Sequence, residues 1–125
     1  MNFIGVIAAL TAFFSIWFGH VAVRKIEFIS PTIWIPTAIF AALGFIVEFL
    51  SLSTANRPLS TALGILGVTL LWDAFELSRQ QQRIIKGHAP ANPNNPRHAK
   101  ILAENKSATT VDLLKREPSN RLHPS

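Results

Sequence analysis

The stretch Pro58–Gly87 reads PLSTALGILGVTLLWDAFELSRQQQRIIKG, and its two halves suit different solvents. Leu59 to Trp72 holds no charged side chain, whereas Asp73, Glu76, Arg79, Arg83 and Lys86 crowd the remainder. Pro58 fits the first turn of a helix and Gly87 its C-terminal cap, so the pattern predicts one unbroken helix. At 1.5 Å per residue that helix runs roughly 43 Å, against a hydrocarbon core of about 30 Å. Its first part is suited to cross a bilayer, and its last turns to stand in water.

Outward from this helix lie two more apolar stretches, Asn2 to Val23 and Pro31 to Leu52. No Lys or Arg precedes Arg24, so the first stretch lacks the basic leader of a cleaved signal peptide and is read as a retained span. The connections, residues 24–30 and 53–57, are short and force neighbouring spans to run antiparallel. Pro36, just over one turn into the second span, is expected to loosen that turn or kink it slightly. The expected fold is therefore all-α, an integral membrane three-helix bundle with a long third helix. Residues 1–86 form the bundle, with spans at about 2–23, 31–52 and 58–77 and the third helix continuing to 86. Residues 87–125 form a basic, proline-containing cytoplasmic tail.

Charge divides the chain the same way. Residues 1–77 carry three Lys/Arg and four Asp/Glu, and residues 78–125 carry nine and three, so the overall +5 belongs to the tail. Beside a membrane, such a tail is first a topology signal and second a handle for anionic lipid. No aromatic residue follows Phe75, so the tail offers bases no stacking platform and nucleic acid is not an expected partner. The absence of cysteine excludes disulfides, thiolate metal sites and covalent c-type haem. Arg24 and Lys25 follow the first span, Arg79, Arg83 and Lys86 follow the third, and the 53–57 connection has Arg57 alone. The positive-inside rule then puts the N-terminus outside and the tail in the cytoplasm. Trp17, Trp34 and Trp72 all fall toward the cytoplasmic end of their spans, as an interfacial belt does.

Membrane helices gain little from burying Leu against Leu, so small residues mark close contacts. Gly5, Ala8, Ala12, Ser15 and Gly19 form such a stripe in the first span; Ser60, Gly64, Gly67 and Ala74 form one in the third. The second span has Thr37, Ala41 and Gly44, and the next position on that stripe is Glu48. These stripes are expected to face one another or a second copy.

Ionisable groups in or near the bilayer each need a partner or a purpose. Glu48 is expected to pair with Arg57 or the Met1 amine, or else to bind a proton or cation. Arg24, Lys25, Glu27, Asp73 and Glu76 end at similar depth and are expected to form a structural charge cluster. His20 is expected to hydrogen-bond near the interface, for instance to Asp73; the competing reading, an axial ligand to haem or pigment, requires a second ligand from a partner chain. No catalytic residues, metal site or cofactor is expected.

In the tail, Pro90, Pro93 and Pro96 recur every third residue, matching polyproline II, and predict an extended strap. Arg97–Asn105 and Thr110–Glu117 are predicted short helices, with Thr109 or Thr110 capping the second and Val111, Leu113 and Leu114 on its apolar side. Helices this short order only against a surface. Ser119–Ser125 is expected to fray. Arg79, Arg83, Lys86 and Arg97 are the expected tail contacts.

Asn2-Phe3 then Gly5, Gly19-His20, Val23 then Lys25 then Glu27, Leu63-Gly64 then Gly67, Leu71-Trp72, Glu76-Leu77, Arg83, Lys86-Gly87 and Asn92-Pro93 form a pattern. It resembles a bacterial family of small three-span membrane proteins known only as a domain of unknown function. The resemblance covers about residues 2–95 and is firmest from Leu63 to Pro93. It implies three spans in a bacterial inner membrane and supplies no activity. Where members carry His-Pro, this chain has His20-Val21. The expected function is a non-enzymatic accessory or scaffold subunit in the bilayer, docking another membrane protein, a second copy or anionic lipid. The alternative is a small oligomeric transporter or channel component using Glu48 and His20.

Overall fold

A computed structural model describes residues 1–112. Four helices follow in order: α1 (Ile4–Ile29), α2 (Trp34–Ser53), α3 (Arg57–Ile85) and α4 (Pro96–Glu104). The first three are long and apolar enough to cross a membrane. Their apolar side chains point outward: Trp17, Trp34 and Trp72 are all more than half exposed, as are Phe13, Phe18, Phe45 and Phe49. An exposed aromatic coat of this extent is ruinous in water and natural in lipid.

α3 matches the reading of Pro58–Gly87 at both ends. Asn56 caps its start by accepting the Leu59 amide at 3.0 Å, with Pro58 in the first turn. At its other end Gly87 takes φ 78°, a left-handed conformation that costs glycine nothing. The Gly87 amide donates to Ile84 O and the His88 amide to Arg83 O, which is a Schellman termination. α1 runs six residues past its expected end, so Arg24, Lys25 and Glu27 stand on a helix rather than in a loop. α2 begins at Trp34, which puts Pro36 in the first turn, where its missing N–H breaks no helical hydrogen bond; the expected loosening has no cause there.

The middle helix is α3. α1 and α2 both pack along it and hardly touch each other. Small residues permit the close approach. A Cβ on Gly44 would lie 2.7 Å from Leu71 Cγ and 3.0 Å from the Gly67 carbonyl oxygen, and one on Gly67 would lie 2.5 Å from Glu48 Oε1. A Cβ on Gly19 would meet Asp73 Oδ2 at 2.6 Å. Ser51 and Ser60 exchange hydrogen bonds across the α2–α3 crossing, each hydroxyl donating to the other's carbonyl, at 2.7 and 2.8 Å. Gly64 faces Ser51 on the same line, and Ala74 is buried farther along α3. Gly5 has nothing within 4 Å, so the start of the first stripe is unpacked among the described residues.

As far as residue 112 the tail folds back instead of leaving the bundle as an extended strap. Ile84 on α3, Ala89 and Ala91 in the turn region, and Ile101 on α4 form a buried cluster, with Ile85, Leu102 and Ala108 packed against it. Burying an aliphatic side chain of this kind contributes about 1.5–3 kcal/mol. That is the surface the short predicted helix needed, and α4 forms on it within one residue of the expected bounds at each end. The Ala91 amide donates to Thr109 O, and Ser107 Oγ donates to Ile85 O at 2.6 Å, pinning the segment after α4. Thr109 Oγ1 accepts the Val111 amide in a local turn. Leu113 and Leu114, most of the second predicted tail helix, and Ser119–Ser125 lie outside the described residues.

Candidate functional site

The densest polar construction is a clasp between the end of α1 and the start of α4. Glu27, near the last turn of α1, is fully buried. Its Oε2 accepts from Arg97 Nη1 at 2.6 Å, and its Oε1 lies 2.9 Å from His98 Nε2. Arg97 also donates to the Glu27 carbonyl through Nη2, and to Gln81 Oε1 on α3 at 2.6 Å. The guanidinium fork thus binds α1, α3 and α4 together, which a point-charge lysine does not do. His98, fully buried, accepts the Asn92 amide at Nδ1 at 2.8 Å. That bond leaves the ring hydrogen of the neutral imidazole on Nε2, aimed at Glu27.

Two asparagines complete the clasp, and each works in both directions. Asn95 Oδ1 caps α4 through the Arg97 amide, while its Nδ2 donates to Phe28 O at 3.0 Å and Ser30 O at 2.9 Å. Asn92 Oδ1 accepts the Asn94 amide, while its Nδ2 donates to Phe28 O at 3.1 Å. The Glu27, Phe28 and Ser30 carbonyls at the C-terminal end of α1 therefore find partners in the tail, and so does the buried carboxylate.

Beside the clasp lies a cavity of about 630 Å³. Arg24 and Lys25 of α1, Arg83 of α3 and the His88 ring line it together with the apolar Val21, Phe28 and Ile84. Gln80, Ala89, Pro90 and the Asp112 carboxylate also line it. Arg83 Nη1 donates to Gln80 Oε1 at 3.2 Å. Among the described residues, no ion pair or side-chain hydrogen bond engages Arg24, Lys25 or the His88 ring.

Several expectations need correcting. Arg24, Lys25, Glu27, Asp73 and Glu76 do not form one cluster: Glu27 turns to Arg97 and His98, Glu76 pairs with Arg79 at 3.3 Å, and Arg24 and Lys25 face the cavity. Asp73 is buried against Gly19. Glu48 meets neither Arg57 nor the Met1 amine. Its Oε1 is buried against Gly67 with no hydrogen-bond partner among the described residues. His20 is exposed and lines a cavity of about 330 Å³ with Trp72 and Asp73, and no hydrogen bond joins it to Asp73. Glu48 stands at the α2–α3 contact and His20 on the α1 side of α3, so the fold does not bring them together. Arg97 is an internal residue, while Arg79 and Lys86 are exposed. His98, Asn92, Asn95 and Gln81 were not expected to matter; their signal, an asparagine before each of Pro93 and Pro96, is a cap-and-turn signature that names no distant partner.

A family model described as Domain of unknown function (DUF4491) matches residues 2–95. No curated protein and no solved structure matches. The matched residues include Glu27, Gln81, Asn92 and Asn95, and stop just short of Arg97 and His98.

Proposed function

The chain belongs to this family of unknown function, and from that premise we propose that it is a non-enzymatic accessory or scaffold subunit embedded in a bacterial inner membrane. The N-terminus is outside and the tail cytoplasmic, because Arg24, Lys25, Arg79, Arg83 and Lys86 gather at one end of the spans against Arg57 at the other. The clasp carries the reading. Its buried charge and paired asparagines hold the tail in one place against the bundle. What the tail then presents outward includes the exposed Lys100 and Lys106. A rigid, charged face at the membrane surface suits docking of a partner protein or of a second copy.

The test is mild-detergent purification of the tagged full-length chain from its native membrane, with native mass measurement of what accompanies it. A stoichiometric partner or homo-oligomer is expected, and Glu27→Ala should release it while leaving the chain in the membrane fraction. A strictly monomeric protein with no accompanying chain would overturn the reading. A second reading, an oligomeric transporter or channel component, is favoured by one observation only, the unpartnered Glu48 oxygen inside the α2–α3 contact. Glu48→Gln should then abolish flux in liposomes, and unchanged flux dismisses it.

A further inference from the structure

We infer that the cavity bounded by Arg24, Lys25, Arg83 and His88 is a binding site for one anionic phospholipid, held by its phosphate-bearing headgroup. The inference rests on the membrane-embedded reading above but not on the existence of a protein partner.

Arg24 and Lys25 follow directly on the uncharged stretch of α1, and Arg83 stands on the part of α3 that extends beyond its uncharged stretch. The cavity therefore straddles the boundary between hydrocarbon and headgroups on the tail side. Its lining offers a partner to each part of a phospholipid. Val21, more than half exposed, and Phe28 offer a track for an acyl chain. Arg24 and Lys25 stand within a turn of them on the same face of α1, and with Arg83 they offer two guanidinium groups and an ammonium to a phosphate, and the His88 ring to a glycerol or headgroup hydroxyl.

Charge complementarity decides the class of ligand. Among the described residues three permanent cations and one carboxylate, Asp112, line the space, so their balance is positive. The enclosed Arg97 has Glu27, Gln81 and two backbone carbonyls, whereas Arg24, Lys25 and Arg83 are exposed, as groups that meet a headgroup must be. Arg24 and Lys25 receive no such partner from the described residues, although Glu76 and Asp73 stand on the neighbouring helix. Grouped cations facing a recess at a bilayer surface attract the anionic headgroups that lie at that level. A volume of about 630 Å³ accommodates a headgroup and the first part of a chain. A diffuse basic surface attracts lipid in proportion to its charge, whereas a built recess also discriminates by position, and the two behaviours differ by experiment.

The test uses the full-length protein in nanodiscs of phosphatidylcholine, titrated with phosphatidylglycerol, and read by bound lipid in native mass spectra and by thermal unfolding. Wild-type protein is expected to hold about one phosphatidylglycerol per chain and to unfold at higher temperature with it. Arg24→Gln and Arg83→Gln, made separately, are each expected to weaken that binding by about tenfold or more. Arg79→Gln, which removes an equal charge outside the cavity, is expected to change it by less than about threefold. Inorganic phosphate and glycerol phosphate in the buffer are expected to compete only weakly, because they lack the chain; full competition would mark a free phosphate site and overturn the lipid assignment. Equal losses in all three variants, or no preference for phosphatidylglycerol, would also overturn it. A variant that loses helical circular dichroism is replaced by Lys25→Gln, whose ammonium makes no bond to a described residue. Failure of the chain to enter nanodiscs of either lipid would sink the membrane-embedded reading itself, which is a separate result.

Discussion

Replacing Glu27 by alanine removes the one acid in the clasp and leaves its two cationic or donor neighbours in place. Arg97, with a side chain 12% exposed, loses its carboxylate at 2.6 Å, and the fully buried His98 loses its acceptor at 2.9 Å. Breaking a buried pair by deleting one partner costs about 3–5 kcal/mol. Arg97 keeps Gln81 Oε1 and the Glu27 and Ser30 backbone carbonyls, so the lower end, about 3 kcal/mol, is the better estimate. Each 1.4 kcal/mol is tenfold, so opening of the tail should become about a hundredfold more frequent. The loss is local, because α2 and α3 meet at a separate contact. Amide hydrogen exchange of the protein in nanodiscs reads this directly. Protection across α4 should fall about a hundredfold while that of Ile65–Leu71 in the middle of α3 stays unchanged. Unchanged protection at α4 would mean that the clasp does not hold the tail. A uniform fall along α3 would mean that the tail and the bundle are one cooperative unit.

Gly44→Ala should lower stability by about 1–3 kcal/mol in thermal unfolding, because its Cβ meets Leu71 and the Gly67 carbonyl, whereas Gly5→Ala should have little effect. A tolerated Gly44→Ala would contradict the close α2–α3 approach. Glu48→Met keeps the bulk and deletes an oxygen that is buried without a partner, so it should stabilise the protein by about 1–3 kcal/mol. A lower unfolding temperature would instead reveal a bound ion or partner at that carboxyl. Asn95→Asp preserves the α4 cap but turns Nδ2, which donates to Phe28 O and Ser30 O, into an acceptor facing two carbonyls. It should loosen α4 by at least about 2 kcal/mol, seen as faster trypsin cleavage after Lys100. Cleavage at the wild-type rate would remove Asn95 from the clasp.

What the sequence makes legible here is local. An uncharged run of span length, a capping glycine, and small residues three or four apart each carry their meaning within one or two turns. They located the three long helices, the Schellman end at Gly87, and the line of Gly44, Glu48, Gly64 and Gly67 along the α2–α3 contact. The clasp is not local. Glu27 and Arg97 are 70 residues apart, and nothing near Glu27 says that its partner lies beyond Asp73 and Glu76, which are closer in chain and similar in depth to Arg24 and Lys25. The prolines at 90, 93 and 96 predict a strap because polyproline spacing is a backbone statement. Whether such a segment is free depends on Ala89, Ala91 and Ile101 finding Ile84, a tertiary event. For the same reason Glu48 looked like half of an ion pair, whereas its helix face turns it away from Arg57 and onto Gly67.

The natural chain has no cysteine, so single cysteines can be introduced and labelled without a background. Ala55→Cys in the α2–α3 connection, Thr32→Cys in the α1–α2 connection and Lys100→Cys on α4 report all three crossings with one membrane-impermeant maleimide. Labelling is expected at position 55 on intact cells, and at 32 and 100 only after the inner membrane is opened. Labelling at 100 on intact cells, or equal labelling at all three positions, would contradict the proposed orientation.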